Sequence, residues 1–275
     1  MKKKVGPLFY LFLIAFVFFV MFPFLWMLLS SVKPLTELFG EKAFKWFTAH
    51  PTLKNYHSVF FNYPFMKYMW NSFVVSSITT VYTVFVASFA AYAIARLHFK
   101  GKSIILGIVL SVSMFPQIAT ISPIYMFLKN MGLTNSYLGL IIPYTTFALP
   151  LSIWLLVTFF RKIPNDLEEA AKIDGASMFQ TYWRVILPLA IPGVFTTAIL
   201  VFIAAWNEFL FALTINTADD YKTVPVGIAM FQGQYTIPWG EIAAATVVVT
   251  VPLVIMVLLF QRRIVSGLTS GSVKE

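Results

Sequence analysis

No cysteine occurs anywhere in these 275 residues, which excludes disulfides and thiolate metal sites and, in so apolar a chain, says little about redox compartment. Charge is scarce as well: Asp, Glu, Lys and Arg make up 11% of the sequence, against about 25% in soluble domains. The three histidines, His50, His57 and His98, lack metal-ligand spacing, and neither H-E-x-x-H nor G-x-S-x-G is present. No catalytic residues and no metal site are therefore expected. Apolar residues, in contrast, reach 59%, above the soluble norm of about 45–50%. A hydrocarbon core of about 30 Å is crossed by roughly 20 apolar residues rising 1.5 Å each, and such stretches recur along the chain. The expected solvent for most of it is a lipid bilayer.

The apolar stretches predict an all-α, polytopic membrane protein with six transmembrane helices near residues 8–30, 71–95, 104–128, 136–160, 190–215 and 241–261. Lys2, Lys3 and Lys4 precede the first run, which is too long for a signal core and has no small-residue cleavage site, so it reads as an uncleaved anchor helix. Six crossings put both termini on one side. The segments of that side hold 13 of the 20 basic residues, which by the positive-inside rule makes both ends cytoplasmic. The net charge of +9 thus serves orientation and anionic lipid, and nucleic acid is not an expected partner. Prolines 23, 116, 123, 143, 150, 192 and 252 interrupt apolar stretches and forecast kinks. The outer segment from Ser31 to about Trp70 carries Pro34, Pro51 and Pro64 and reads as short interfacial helices and loops.

The inner loop of about residues 161–189 carries the most information. Asp166, with Glu169 three residues on, has the form of a capping box. Gly175 suits the left-handed position that ends a helix, and a second helix should run from Ser177 to Leu187-Pro188. Small Ala170 and Ala171, exposed to the cytosol, let another protein approach closely. Locally this is either a mechanical coupler or an interfacial helical hairpin without a partner.

At these residues the chain resembles the inner-membrane permeases of binding-protein-dependent ATP-binding-cassette importers, whose signature is E-A-A, three residues, G, nine residues, then I-x-L-P. Here it reads Glu169-Ala170-Ala171, then Gly175, then Val185-Ile186-Leu187-Pro188, with Val in place of the first Ile. Likeness to the sugar-importing branch, and to the smaller permease of maltose-type systems, extends over nearly the whole chain, with its core at about residues 70–265. It includes Ser31-Val32-Lys33-Pro34, Asn71-Ser72, Ala91-Tyr92-Ala93-Ile94-Ala95-Arg96, Gly132-Leu133-Thr134-Asn135, Trp206-Asn207-Glu208-Phe209 and the tail from Gly267 to Lys274. The resemblance implies one transmembrane permease domain over residues 1–275, of the type I importer fold, in a bacterial or archaeal cytoplasmic (inner) membrane. It implies a second permease subunit as heterodimer partner, two ATP-binding cassette subunits docked on the loop, an extracytoplasmic sugar-binding protein and a sugar substrate. No cofactor is bound by this chain, and ATP and Mg belong to the partner subunits. Glu169, Asp174 and Gly175 would cap or turn the coupling element, Leu187 and Pro188 would join it to the fifth helix, and Gly271 and Lys274 in the tail would reach the ATP-binding subunits.

Gly101-Lys102-Ser103 looks like the end of a phosphate loop, but the position that needs the first glycine is Arg96, and the segment joins two membrane helices. Arg96, Lys100 and Lys102 read instead as positive-inside anchors. Glu208, in the outer half of the fifth helix, is the ionisable group deepest in the apolar stretches. With Trp206 and Asn207 it is a candidate for the translocation pathway or gate: contacting sugar, bracing a gate, or serving a proton-linked role. A permease of the same class for a non-sugar solute, and an ion-coupled transporter acting alone, remain alternatives.

Overall fold

The computed structural model describes residues 6–232 and 237–269, and among these every regular element is helical. In chain order the α-helices are α1 (Pro7–Ser31), α2 (Lys54–Phe61), α3 (Phe65–Arg96), α4 (Lys102–Val112), α5 (Gln117–Asn130), α6 (Tyr137–Phe160), α7 (Asp166–Ile173), α8 (Met178–Thr181), α9 (Leu187–Leu189), α10 (Ile191–Trp206), α11 (Leu210–Ile215), α12 (Val224–Ala229) and α13 (Trp239–Thr269). Two compact units divide the chain: Met1–Met66 with Gly227–Pro252, and Lys67–Val226 with Leu253–Glu275.

In the first unit α1 is apolar all round, the mark of a helix solvated by lipid, and only Ser30 and Ser31 at its end are buried. The outer segment folds there as short helices, as its prolines imply. Lys33 is 1% exposed. Its ammonium donates to the carbonyls of Lys45 (2.5 Å) and Ala43 (3.3 Å) and lies 4.8 Å from the Trp26 ring centroid, so a buried charge is satisfied by two acceptors and an aromatic face. Asn55 of α2 donates to the carbonyls of Ser31 and Lys33. Glu241, in the first turn of α13, accepts from Ser58 Oγ at 2.7 Å and from the Tyr63 hydroxyl at 2.8 Å.

Burial first, then the hydrogen bond to and charge of Glu241, push the Tyr63 phenol up to about 12. Its contribution to stability is therefore complete below the ordinary phenol value near 10. It drains as pH rises from there through about 12, where the folded phenol finally ionises. The phenolate absorbance of the chain minus that of Tyr63→Phe is expected to have its midpoint near the upper value. A midpoint at the ordinary value would remove the Glu241 contact.

In the second unit, Asn71 on α3 is buried and uses its whole amide: it donates to the carbonyls of Asp220 and Lys222, both at 2.9 Å, and accepts from the Tyr137 hydroxyl at 2.8 Å. Ser72 Oγ accepts from Val224 N–H. The Asn71-Ser72 pair thus ties the connection after α11 to α3. α10 packs tightly on α6 at Gly193, where a Cβ would stand 2.3 Å from the Phe159 ring.

Three expected spans need correction. The second begins earlier, at Phe65, so residues assigned to the outer segment are already helical. Residues 104–128 are not one helix: α4 stops at Val112, α5 starts at Gln117, and the two are bent by 89°. Pro116 has no N–H to continue α4 and disfavours helical geometry in the residue before it. Ser111 and Ser113 hydroxyls meanwhile bond back to the carbonyls of Ile108 and Leu110. Residues 190–215 are also broken, with α10 ending at Trp206 and α11 beginning at Leu210. Among the described residues four helices are long and apolar enough to cross a membrane, and up to six spans result if each of two bent pairs makes one: α4 with α5, and Met178–Leu189 with Ile191–Trp206, which meet at 76°. Pro23, Pro123, Pro143, Pro150 and Pro252 lie inside helices, whereas Pro192 begins one.

Candidate functional site

The 161–189 loop is two short helices joined at Gly175. At the end of α7 the Gly175 N–H donates to the Lys172 carbonyl (3.0 Å) and the Ala176 N–H to the Ala171 carbonyl (2.9 Å). With Gly175 at φ +79°, this is the Schellman arrangement that closes a helix on a left-handed residue. Asp166, Glu168 and Glu169 fill the first turn, where the helix dipole favours negative charge. The capping box expected at Asp166 and Glu169 does not form. The residue before the helix is Asn165, itself helical in φ and ψ and without a capping bond, because its side-chain oxygen accepts from Arg96. A true capping box forms one helix later, where Ser177 Oγ accepts from Gln180 N–H and Gln180 Oε1 accepts from Ser177 N–H. The spacing Ser-x-x-Gln carried that signal.

Glu169, Ala170, Asp174 and Gly175 are exposed together on the outward face of the loop. Ala171 is not, at 8% exposure, which corrects the expectation that both alanines face solvent. α7 packs against α8 and the turn that follows it, and a side chain as small as that of Ala171 permits close packing within the loop. Ile173 is 86% exposed, and Met178 and Phe179 are also exposed, so the outward face is partly apolar.

The inward face is seated on membrane helices. From Tyr182 to Ile186 the chain makes a π-type turn, a local widening that recurs at functional sites, and α9 begins at Leu187-Pro188 and leads to α10 as expected. Tyr182 and Ile186 are buried with Ala87, Ala91, Tyr92, Leu156, Val157 and Phe160 of α3 and α6. The Tyr182 hydroxyl shares a 2.7 Å hydrogen bond with Ser88 Oγ. At the other end of the loop, the Arg96 guanidinium donates to Asn165 Oδ1 and to the Ile163 carbonyl, and its Nε stands 3.2 Å from Glu168 Oε1. That last contact is an ion pair by distance but lacks hydrogen-bond alignment, leaving both atoms otherwise unpartnered. Arg96, read from sequence as an interfacial anchor, is 9% exposed and holds the loop to α3.

The side chains of residues 206–208 lie in three different surroundings. Trp206 is 2% exposed and stacks on Phe202 at 5.6 Å. Asn207 is exposed and bonds back to the Ile203 carbonyl at 2.8 Å. Glu208 lies past the end of α10, not within a continuous fifth helix. Its two carboxylate oxygens accept from the N–H groups of Phe211 (2.9 Å) and Ala212 (3.2 Å), so it caps the start of α11. It also lines a cavity of about 150 Å³ with Gln117, Tyr144, Phe147, Ser152, Thr197 and other residues of α3, α5, α6, α10 and α11. Gly271 and Lys274 lie outside the described residues.

The profile of the binding-protein-dependent transport system inner membrane components matches residues 83–270. The trehalose/maltose transport system permease protein of Thermococcus litoralis is 47% identical over 257 residues, covering 92% of this chain and 91% of that one. The trehalose transport system permease protein of Mycobacterium tuberculosis is 46% identical over 258 residues, 93% of each. Among solved structures, a chain of a bacterial ABC transporter that imports the acidic polysaccharide alginate superposes with a TM-score of 0.81 at 18% identity, covering 95% of this chain and 99% of that one. That likeness is one of fold.

Proposed function

Because the chain belongs to the binding-protein-dependent transport system inner membrane components, we propose that it forms half of the translocation pathway of an ATP-driven sugar importer. Its companions are a second permease, two ATP-binding cassette subunits that carry ATP and Mg, and an extracytoplasmic sugar-binding protein. The membrane is the cytoplasmic (inner) membrane of a bacterium or archaeon, with the loop and both termini facing the cytoplasm, in keeping with the distribution of basic residues. Sugar as the solute rests on the names of the relatives, for trehalose and maltose.

The observation that carries the reading is the division of the loop into two faces. Tyr182 and Ile186 are sunk among α3 and α6, while Glu169, Ala170, Ile173, Asp174 and Gly175 stand outward. A partly apolar outward face on a rigid, capped turn is a docking surface, and an inward face packed in the membrane core transmits displacement. The ATP-binding subunits supply the displacement, and the membrane helices convert it to alternating access. Leu187 and Pro188 relay it to α10, and Gly271 with Lys274 adds a tail contact. Glu208 acts as a brace that holds α11 beside the cavity. Its two oxygens already serve backbone donors, which weighs against a proton relay.

Affinity purification of the chain from its native membrane in mild detergent tests the assembly. Co-purification of a second permease and an ATPase, followed by ATP-dependent uptake of trehalose or maltose in proteoliposomes with the binding protein, is the expected result. A chain recovered alone that carries solute under an ion gradient without ATP overturns it.

A further inference from the structure

We infer that Arg96 is a positioning residue that makes the last turns of α3 the receiver of the coupling loop's movement. The inference rests on the coupling reading above and adds a route to it. The chain itself leads from the loop through Leu187-Pro188 into α10, but the side chains lead elsewhere. Ser88, Tyr92 and Arg96 are four residues apart and share one face of α3. Ser88 bonds the Tyr182 hydroxyl, Tyr92 packs against the Tyr182 ring at 5.1 Å, and Arg96 grips Ile163, Asn165 and Glu168. Phe89 adds a ring contact to Tyr182 at 4.9 Å. The loop is thus strapped to one stripe of α3 on both sides of the Gly175 turn.

Three features separate this from ordinary interfacial anchoring. A snorkelling arginine keeps its head in water, whereas Arg96 is buried. An ammonium is a point donor, and only the planar fork of a guanidinium can serve a carbonyl, an amide oxygen and a carboxylate in fixed directions. Asn165 also forgoes capping α7 to accept from Arg96, so the start of α7 is fixed in place by α3. Displacement of α7 therefore bends or turns α3 with it.

The test uses the whole importer in proteoliposomes, with radiolabelled trehalose and maltose as solutes, and compares Arg96→Lys, Arg96→Ala, Asn165→Ala and the pair Ser88→Ala with Tyr182→Phe. Solute carried per ATP hydrolysed is the readout, together with spin-label distances between Lys172→Cys and Tyr82→Cys, the chain having no cysteine of its own to label. With Arg96→Ala, ATPase subunits stay bound and hydrolysis stays within about twofold, while solute per ATP falls at least tenfold and the distance distribution broadens. Arg96→Lys falls between, and Asn165→Ala, which removes one prong without emptying the site, gives about a threefold drop. Should Arg96→Ala fail to assemble, Asn165→Ala decides alone. An unchanged ratio and distribution in the variants, beside an active unaltered complex, overturns the inference and leaves the proposed function standing. An unaltered complex with no ATP-dependent uptake overturns that function first.

Discussion

An importer assembled with Gly175→Asp carries solute at least tenfold more slowly than the unaltered assembly. The reason is conformational: a Cβ built on Gly175 meets nothing within 4 Å, but the residue sits at φ +79°. A left-handed backbone costs an ordinary L-residue roughly 1–2 kcal/mol, about a five- to thirtyfold loss in the population of the closed turn. Aspartate adds a negative charge at the carbonyl end of α7, which the helix dipole disfavours by about 0.3–1 kcal/mol. The same logic orders the variants. Gly175→Asn keeps most transport because asparagine tolerates the left-handed region, Gly175→Ala is intermediate because it bears strain alone, and Gly175→Asp is worst because its charge enters the docking face at the carbonyl end of α7. Uptake and ATPase stimulation measured on the three variants check the order. Wild-type rates for Gly175→Asp in both assays would dismiss the docking role of the turn.

Gly139→Ala is expected to lower the thermal midpoint of the purified chain. Its Cβ would stand 2.3 Å from the Leu133 carbonyl oxygen and 3.2 Å from Ile215 Cγ2. That carbonyl cannot retreat freely, because it accepts from Ser136 Oγ at 2.6 Å, and the same hydroxyl caps α6 by accepting from Gly139 N–H. On its other side the Leu133 N–H is bound to the Leu128 carbonyl at the end of α5. Overpacking of this kind costs about 1–3 kcal/mol, more when backbone must move. Gly107→Ala provides the control: nothing lies within 4 Å of its Cβ, and a helical glycine replaced by alanine gains about 0.5–1 kcal/mol. Equal midpoints for the two variants would mean that the close approach at Leu133 is relieved without cost.

The coupling turn was legible because its determinants are local. Left-handed glycine chemistry, acidic residues in a first turn and a fixed spacing to Leu187-Pro188 are all written within about twenty residues. Arg96 was not legible, since its partners lie 67 and 69 residues away and a basic residue at a helix end already has a sufficient reading in membrane orientation. Ala171 was misplaced because adjacency to Ala170 says nothing about which face of α7 each occupies. The breaks at 113–116 and 207–209 escaped for another reason. Hydropathy averages over a window, and a few residues of irregular backbone leave the average unchanged when the flanks stay apolar. Pro116 behind two serines, and the polar pair Asn207-Glu208 inside an apolar run, were the available signals. The same averaging placed Glu208 on a helix that in fact ends before it, hiding its role as a cap.

The 89° bend between α4 and α5 bears on the lipid itself. Arms of 11 and 14 residues reach only about 16 and 21 Å at 1.5 Å per residue, each short of a hydrocarbon slab about 30 Å thick. Acyl chains beside this segment therefore meet a step instead of a straight wall. The elastic cost of fitting them, some fraction of a kcal/mol per Å of mismatch, depends on chain length. Bilayer thickness becomes a variable in the folding of this segment, so short-chain and long-chain phospholipids will not sustain it equally.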